Sequence, residues 1–198
     1  FINTKAYGFR GLPKMGENLE GKECCTVFIL STLMLNSDDN RNQVLSCFPG
    51  LIGDPDFKIT DEATSDYNCF AWAAHHRDVF WSPLPIDRRP FQRPDGVSLD
   101  WPFDAAEDTK LSTMISIYSN YGYEVCNDGL LEEGYRKIAL YGTSDCITHA
   151  ARQLVTDKER GKWTSKLGQW FQITHGDPTT IEGNEYGPVI QYLRVQFP

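Results

Sequence analysis

The hydrophobic pattern changes character along the chain. Early on, apolar residues recur at helical spacing. Gly21 to Leu45 reads as a helix interrupted at Asn36-Ser-Asp-Asp-Asn40, with turns at Phe48-Pro-Gly50 and Asp54-Pro55. A second helix is predicted from Asn68 to about His75. Asp104 to Tyr121 reads as a third, with Leu111, Met114, Ile115 and Tyr118 on one face and Gly122 as its stop. After that the period shortens. Tyr123–Val125, Lys137–Tyr141, Ile147–Val155, Trp163–Leu167, Phe171–Thr174 and Val189–Val195 are short β-like runs parted by Gly, Asp and Asn, as in an antiparallel sheet. Helices followed by a meandering sheet predict an α+β domain, with the Asn68 helix packed on the sheet.

Between the helical and β-like parts, Trp81 to Phe103 carries Pro83, Pro85, Pro90, Pro94 and Pro102 and cannot be one helix. It reads as a surface loop, stapled by Phe80, Trp81, Phe91, Trp101 and Phe103, in the place where a lid or substrate wall would lie. Residues 1 to about 20 lack periodicity and read as an extended arm. The domain division is therefore 1–45, an arm and helix, and 46–198, an α+β domain.

The candidate chemistry begins at Asp66-Tyr-Asn-Cys-Phe-Ala-Trp-Ala-Ala74. Cys69 falls in the first turn of the second helix, where unpaired N–H groups and the helix dipole favour a thiolate and could hold an oxyanion. A free cysteine is more often plain core, so a partner is needed to distinguish the two readings. His75 and His76 follow on the same helix and do not face back to Cys69. His149, mid-strand in the sheet, is the candidate general base. His175, at the end of a later strand, is the second. Arg152 and Lys166 would suit a carboxylate-bearing substrate.

Composition removes several alternatives. The formal charge is −8 over 198 residues, with Lys and Arg scattered, which argues against nucleic-acid backbones as partners. Six cysteines without a CxxC pair and four histidines argue against a metal site, and no cofactor motif is present. The cysteine spacing suggests no dense disulfide framework and leaves the redox compartment open. Thr26 to Leu35 is too short to span a bilayer. Phe1 in place of an initiator Met reads as a domain excised from a longer protein.

Tyr67-Asn-Cys-Phe-Ala-Trp-Ala73, Glu133-Gly134, Lys137 to Tyr141, Thr148 to Leu154, Gly161 to Gly168, Ile173-Thr-His175 and Glu182 to Gly187 together resemble a family of bacterial domains of unknown function. Its helix-Cys, strand-His layout looks like that of the papain-like, NlpC/P60-type cysteine hydrolases. The resemblance runs from about Phe48 to Val195. It implies a papain-like fold and thiol-dependent attack on an amide, with Cys69 as nucleophile, His149 as base and His175 orienting it. Lys166, Ser165 and Trp72 become substrate-binding candidates. One register of that layout puts Lys137 at the base position and His149 at the orienting one; lysine is a poor base, so His149 keeps the role.

Two functions of different class follow. In the first, the domain is a peptidase, amidase or protein deamidase acting on a protein or peptide, as a secreted or delivered toxin or effector with an immunity or host target protein. In the second, it is a non-catalytic protein-binding module with Cys69 buried and the proline-rich loop as its partner surface.

Overall fold

The computed structural model describes residues 34–156 and 158–197. The arm over residues 1 to 20, and most of the helix expected from Gly21, lie outside these residues. The interruption near Asn36 is present. Ser37 caps a new helix, α1 (Asp38–Cys47), by accepting from the Asn40 N–H at 3.3 Å. The proposed division at residues 45 and 46 falls inside this helix.

Two further helices follow in the chain, α2 (Cys69–Ala73) and α3 (Leu111–Asn120). Ten strands accompany them: β1 (Lys58–Asp61), β2 (Phe80–Trp81), β3 (Phe91–Gln92), β4 (Ser98–Asp100), β5 (Glu124–Cys126), β6 (Tyr135–Thr143), β7 (Cys146–Gln153), β8 (Trp163–Lys166), β9 (Gln172–His175) and β10 (Val189–Gln196). A seven-stranded sheet in the order β1-β9-β8-β7-β6-β10-β5 dominates the molecule, and its pairings are antiparallel throughout. A small second sheet, β2-β4-β3, lies in the proline-rich segment.

Both faces of the large sheet are covered. Ile138, Leu140, Ala150 and Leu193 meet α2 and α3 on the first face. Ala139, Tyr141, Ala151, Trp163 and Ile173 meet Val44 of α1 and the 3-10 turns at Pro49–Leu51 and Pro178–Ile181 on the second. Double coverage is why Lys137 to Tyr141 reads as a continuous buried run instead of an alternating one.

The papain-like expectation is overturned by this architecture. The cysteine helix has only five residues, and the bulk of the fold is a broad antiparallel sheet sandwiched between short elements. Two local causes shorten the helices. A Schellman closure ends α2: His75, at φ 70°, donates its N–H to Trp72 O, and His76 donates to Ala71 O. Asp104 to Thr109 runs through a turn and a bend instead of a helix, and α3 starts only after Lys110, whose N–H is held by the Asp108 side chain.

The Trp81–Phe103 segment, read as a surface loop from its prolines, is a strap in which one side chain gathers several carbonyls. Arg89 donates to the carbonyls of Leu84, Trp101, Phe103 and Ala105.

Gly142 marks an irregularity in the β6–β7 register and adopts φ 123°. A Cβ there would lie 2.3 Å from Cys146 O. Gly142→Ala is expected to cost about 3 kcal/mol or more. Gly53→Ala, at φ 84° in open space, should lose only about 1–2 kcal/mol of left-handed strain. Urea denaturation of the two variants compares them, and equal losses would refute the steric account.

Candidate functional site

Cys69 is placed by its neighbour. Asn68 caps α2 by accepting from Ala71 N–H at 3.2 Å, while its Nδ2 donates to Trp81 O at 2.7 Å, so one amide ties the cysteine to the start of the strap. The helix end is held by tyrosines: Tyr118 donates to Phe70 O at 3.0 Å and Tyr123 to Ala73 O at 3.5 Å. β8 pairs with β7 only over Ala151 to Gln153, and the backbone of Ala150, just before that stretch, is among the groups that act on the cysteine thiol.

The sequence led us to expect a thiolate. Cys69 is instead 5% exposed within the first-face core, and burial pushes its thiol up to about 11. The Ala150 and Phe70 N–H groups and the Lys166 charge oppose that rise without overcoming it. A helix of five residues offers too few aligned peptide dipoles to compensate for full desolvation.

His149 lies elsewhere. It pairs with Tyr141 across the β6–β7 ladder and shares its face, the second one. Its ring stacks on Tyr186 at 3.9 Å between centroids and meets Tyr141 edge-on at 5.2 Å. Neither ring nitrogen has a hydrogen-bond partner, and burial, aided by His175, holds the imidazole neutral by lowering its pKa far below the usual value. No hydrogen bond joins it to Cys69.

His175 also belongs to the second face. Its Nδ1 donates to Asp177 O at 2.9 Å, and its Nε2 accepts from Ser165 Oγ at 3.0 Å. Burial lowers its pKa to about 4. The structure therefore joins His175 to Ser165 and leaves both apart from Cys69.

The remaining candidates are occupied or covered. Lys166 is fully buried and donates to the carbonyls of Thr64, Gly168 and Trp170 at 2.9, 2.8 and 2.5 Å, which uses all three of its protons. Lys137, the alternative base, is ion-paired with Asp128 at 3.0 Å and Glu132 at 3.4 Å, contacts that raise its pKa. Trp72 is buried beneath Arg152, whose guanidinium carbon lies 3.8 Å from the indole centroid.

That last contact begins an arrangement only partly visible in the sequence. Arg152, opposite Ile138 and so on the first face, bonds through Nη1 to Nδ1 of His75, the residue in the left-handed conformation that ends α2. Burial lowers the arginine's pKa to about 10, and the charges of Arg136 and Arg77 act in the same direction. Arg152 was recognisable from the sequence as a charged residue inside an apolar strand run. The convergence of Arg77, Arg136 and His75 upon it was not, because it depends on the turn that ends α2 and on strand register.

Among the described residues, no cluster of three or more His, Cys, Asp or Glu is arranged to hold a metal ion, and no helix is long and apolar enough to cross a membrane. Cys47, Cys69, Cys126 and Cys146 are free thiols.

Fold and site together define an antiparallel-sheet domain with a buried cysteine on a short helix and, apart from it, a buried arginine that no described carboxylate pairs with. Residues 58–194 match a domain of unknown function (DUF7689), and the chain belongs to that family. No curated protein and no solved structure matches the chain.

Proposed function

We propose that the domain is a non-catalytic protein-binding module. The observation that carries this reading is the state of Cys69, a buried thiol whose pKa is pushed up to about 11 and which has no base bonded to it. A thiol nucleophile needs access and a proton acceptor, and it has neither here. A surface suited to a partner lies on the strap, where Ile86, Phe91 and Phe103 stand exposed on a segment fixed by Arg89.

Alkylation with iodoacetamide, followed residue by residue with peptide mass spectrometry, tests the reading. Cys69 is expected to label at least about tenfold more slowly than the exposed Cys47 and Cys146 in the native protein. All three should label alike in urea. Labelling of Cys69 faster than its neighbours, with an apparent pKa below about 8.5, would overturn it.

A second reading is a thiol-dependent hydrolase or transferase acting on an amide, through Cys69 and His149. It is favoured by the two unbonded ring nitrogens of His149, next in sequence to Ala150, whose backbone acts on the Cys69 thiol. It requires the imidazole to leave the Tyr186 stack. Under this reading His149→Ala slows Cys69 alkylation; under the first it does not.

A further inference from the structure

Arg152 is buried, with 8% of its surface exposed, and takes part in no ion pair with a described residue. A buried guanidinium without a counter-charge is costly, because desolvation is compensated only by partners that accept its protons. The bonds it makes are unequal around the group. Nη1 is engaged by His75. Nε is buried with no partner, and no hydrogen bond is made by Nη2. The unengaged edge is therefore the one that presents two parallel N–H groups, the fork that fits both oxygens of a carboxylate.

The surroundings point the same way. Trp72, stacked under the guanidinium, has its own indole N–H buried and unbonded. Two adjacent unsatisfied donors in a well-packed core call for an acceptor, since buried polar groups are nearly always paired. Arg77 lies 5.6 Å from the Trp72 ring and reaches the surface, where Asp61 pairs with it. Arg136, half-buried, carries its guanidinium over the Phe197 ring, 4.4 Å from the centroid, and its charge acts on Tyr123. Besides burial, the groups with the largest influence on Arg152 are Arg136 and Arg77 as cations and the phenols Tyr123 and Tyr67. In a chain of formal charge −8, this is a localised positive site with an aromatic floor, and exposed His75 stands at its edge.

We propose that the Nε/Nη2 edge of Arg152, with the indole N–H of Trp72, is a binding site for a carboxylate group, of the kind carried by an acidic side chain, a peptide C-terminus or a small organic acid. Arg136 supplies attraction without occupying the fork, while the charge of Arg77 is balanced by Asp61. The site is separate from Cys69, and it stands whether or not that thiol reacts.

The test follows the Arg152 Nε–H resonance in protein labelled with 15N-arginine, titrated with sodium acetate against sodium chloride at constant ionic strength. A saturable shift with acetate and none with chloride is expected. Arg152→Lys keeps the charge and removes the fork. It should lower acetate affinity at least about tenfold, as read from chemical shifts of residues around Trp72. Trp72→Phe keeps the aromatic floor, loses one donor, and should weaken binding several-fold; it decides the matter if Arg152→Lys does not fold. An Arg152 signal unmoved by acetate, or moved equally by chloride, overturns the proposal. Tighter binding of inorganic phosphate than of acetate overturns the assignment to carboxylates. Because neither outcome involves Cys69, failure here is distinguishable from failure of the alkylation experiment.

Discussion

Acidification from pH 6.5 to pH 4 is expected to strip this fold of stability, with histidine as the cause. His149 and His175 are both fully buried, and burial depresses both pKa values, that of His175 to about 4. An unfolded histidine titrates near 6.5. Below that pH the unfolded chain takes up protons that the folded chain refuses. Stability therefore falls as pH drops through the window between the unfolded and folded values, and is fully present above about pH 6.5. For His175 alone the gap corresponds to about 3 kcal/mol, at 1.36 kcal/mol per pKa unit. With two such groups the slope approaches two protons, or about 2.7 kcal/mol per pH unit in mid-window. His149→Phe isolates one of them. The ring stays between Tyr141 and Tyr186, where its nitrogens bonded nothing. The variant should gain about 2 kcal/mol on the wild type between pH 7.5 and pH 5. Urea titrations at half-unit pH steps measure both slopes. An unchanged slope in His149→Phe would show that this histidine is not held neutral by the fold.

The strands of the last third were legible because their apolar runs are short and separated by turn residues. All six runs correspond to β5 to β10, with ends within about two residues. The strands that were missed, β1 to β4, are of two to four residues; β1 and β2 depend on distant partners, Lys58 pairing with Thr174 and Phe80 with Leu99, while β3 and β4 form a short hairpin inside the proline-rich segment. Nothing within four residues of sequence fixes β1 or β2. The overall architecture was misread for a related reason. A cysteine at a helix start followed later by a histidine in a strand describes order along the chain, while the faces of the sheet are decided by register. Tyr141 pairing with His149 sends that histidine to the second face, and a shift of one residue would have sent it to the first.

The candidate site was legible in its members and not in their relations. Cys69 in the first turn of a helix starting about Asn68 was readable, because a helix start is a local matter. Whether the thiol ionises is not local. It depends on how completely Tyr118, Ile147, Ala150 and their neighbours enclose it, and enclosure reverses the effect of the helix start. Ser165 and Lys166 were read as a pair of polar residues near substrate. Adjacent on one strand, they point to opposite faces, one to His175 and the other to three carbonyls.

Replacement of Lys166 by methionine is expected to cost about 3–5 kcal/mol, a large loss for one side chain of similar length. The ammonium joins three pieces of backbone that no strand pairing connects: Thr64, ahead of α2, and Gly168 and Trp170, in the turn between β8 and β9. Burial has already lowered its pKa to about 8, so the charge persists at neutral pH only because the carbonyls reward it. Methionine fills the space and leaves three acceptors unpaired, each worth about 1–3 kcal/mol when buried. Part of that is recovered, because the cation no longer has to be desolvated, hence a total below the simple sum. The substitution carries a second readout. The Lys166 charge is among the groups that lower the pKa of Cys69, so its removal should raise the thiol further and slow alkylation beyond the wild-type rate. Lys58→Met, at an exposed position, serves as the control and should change stability by less than about 0.5 kcal/mol. If Lys166→Met unfolds at the same urea concentration as that control, the three carbonyls find other donors and the lysine is not what holds the turn to α2.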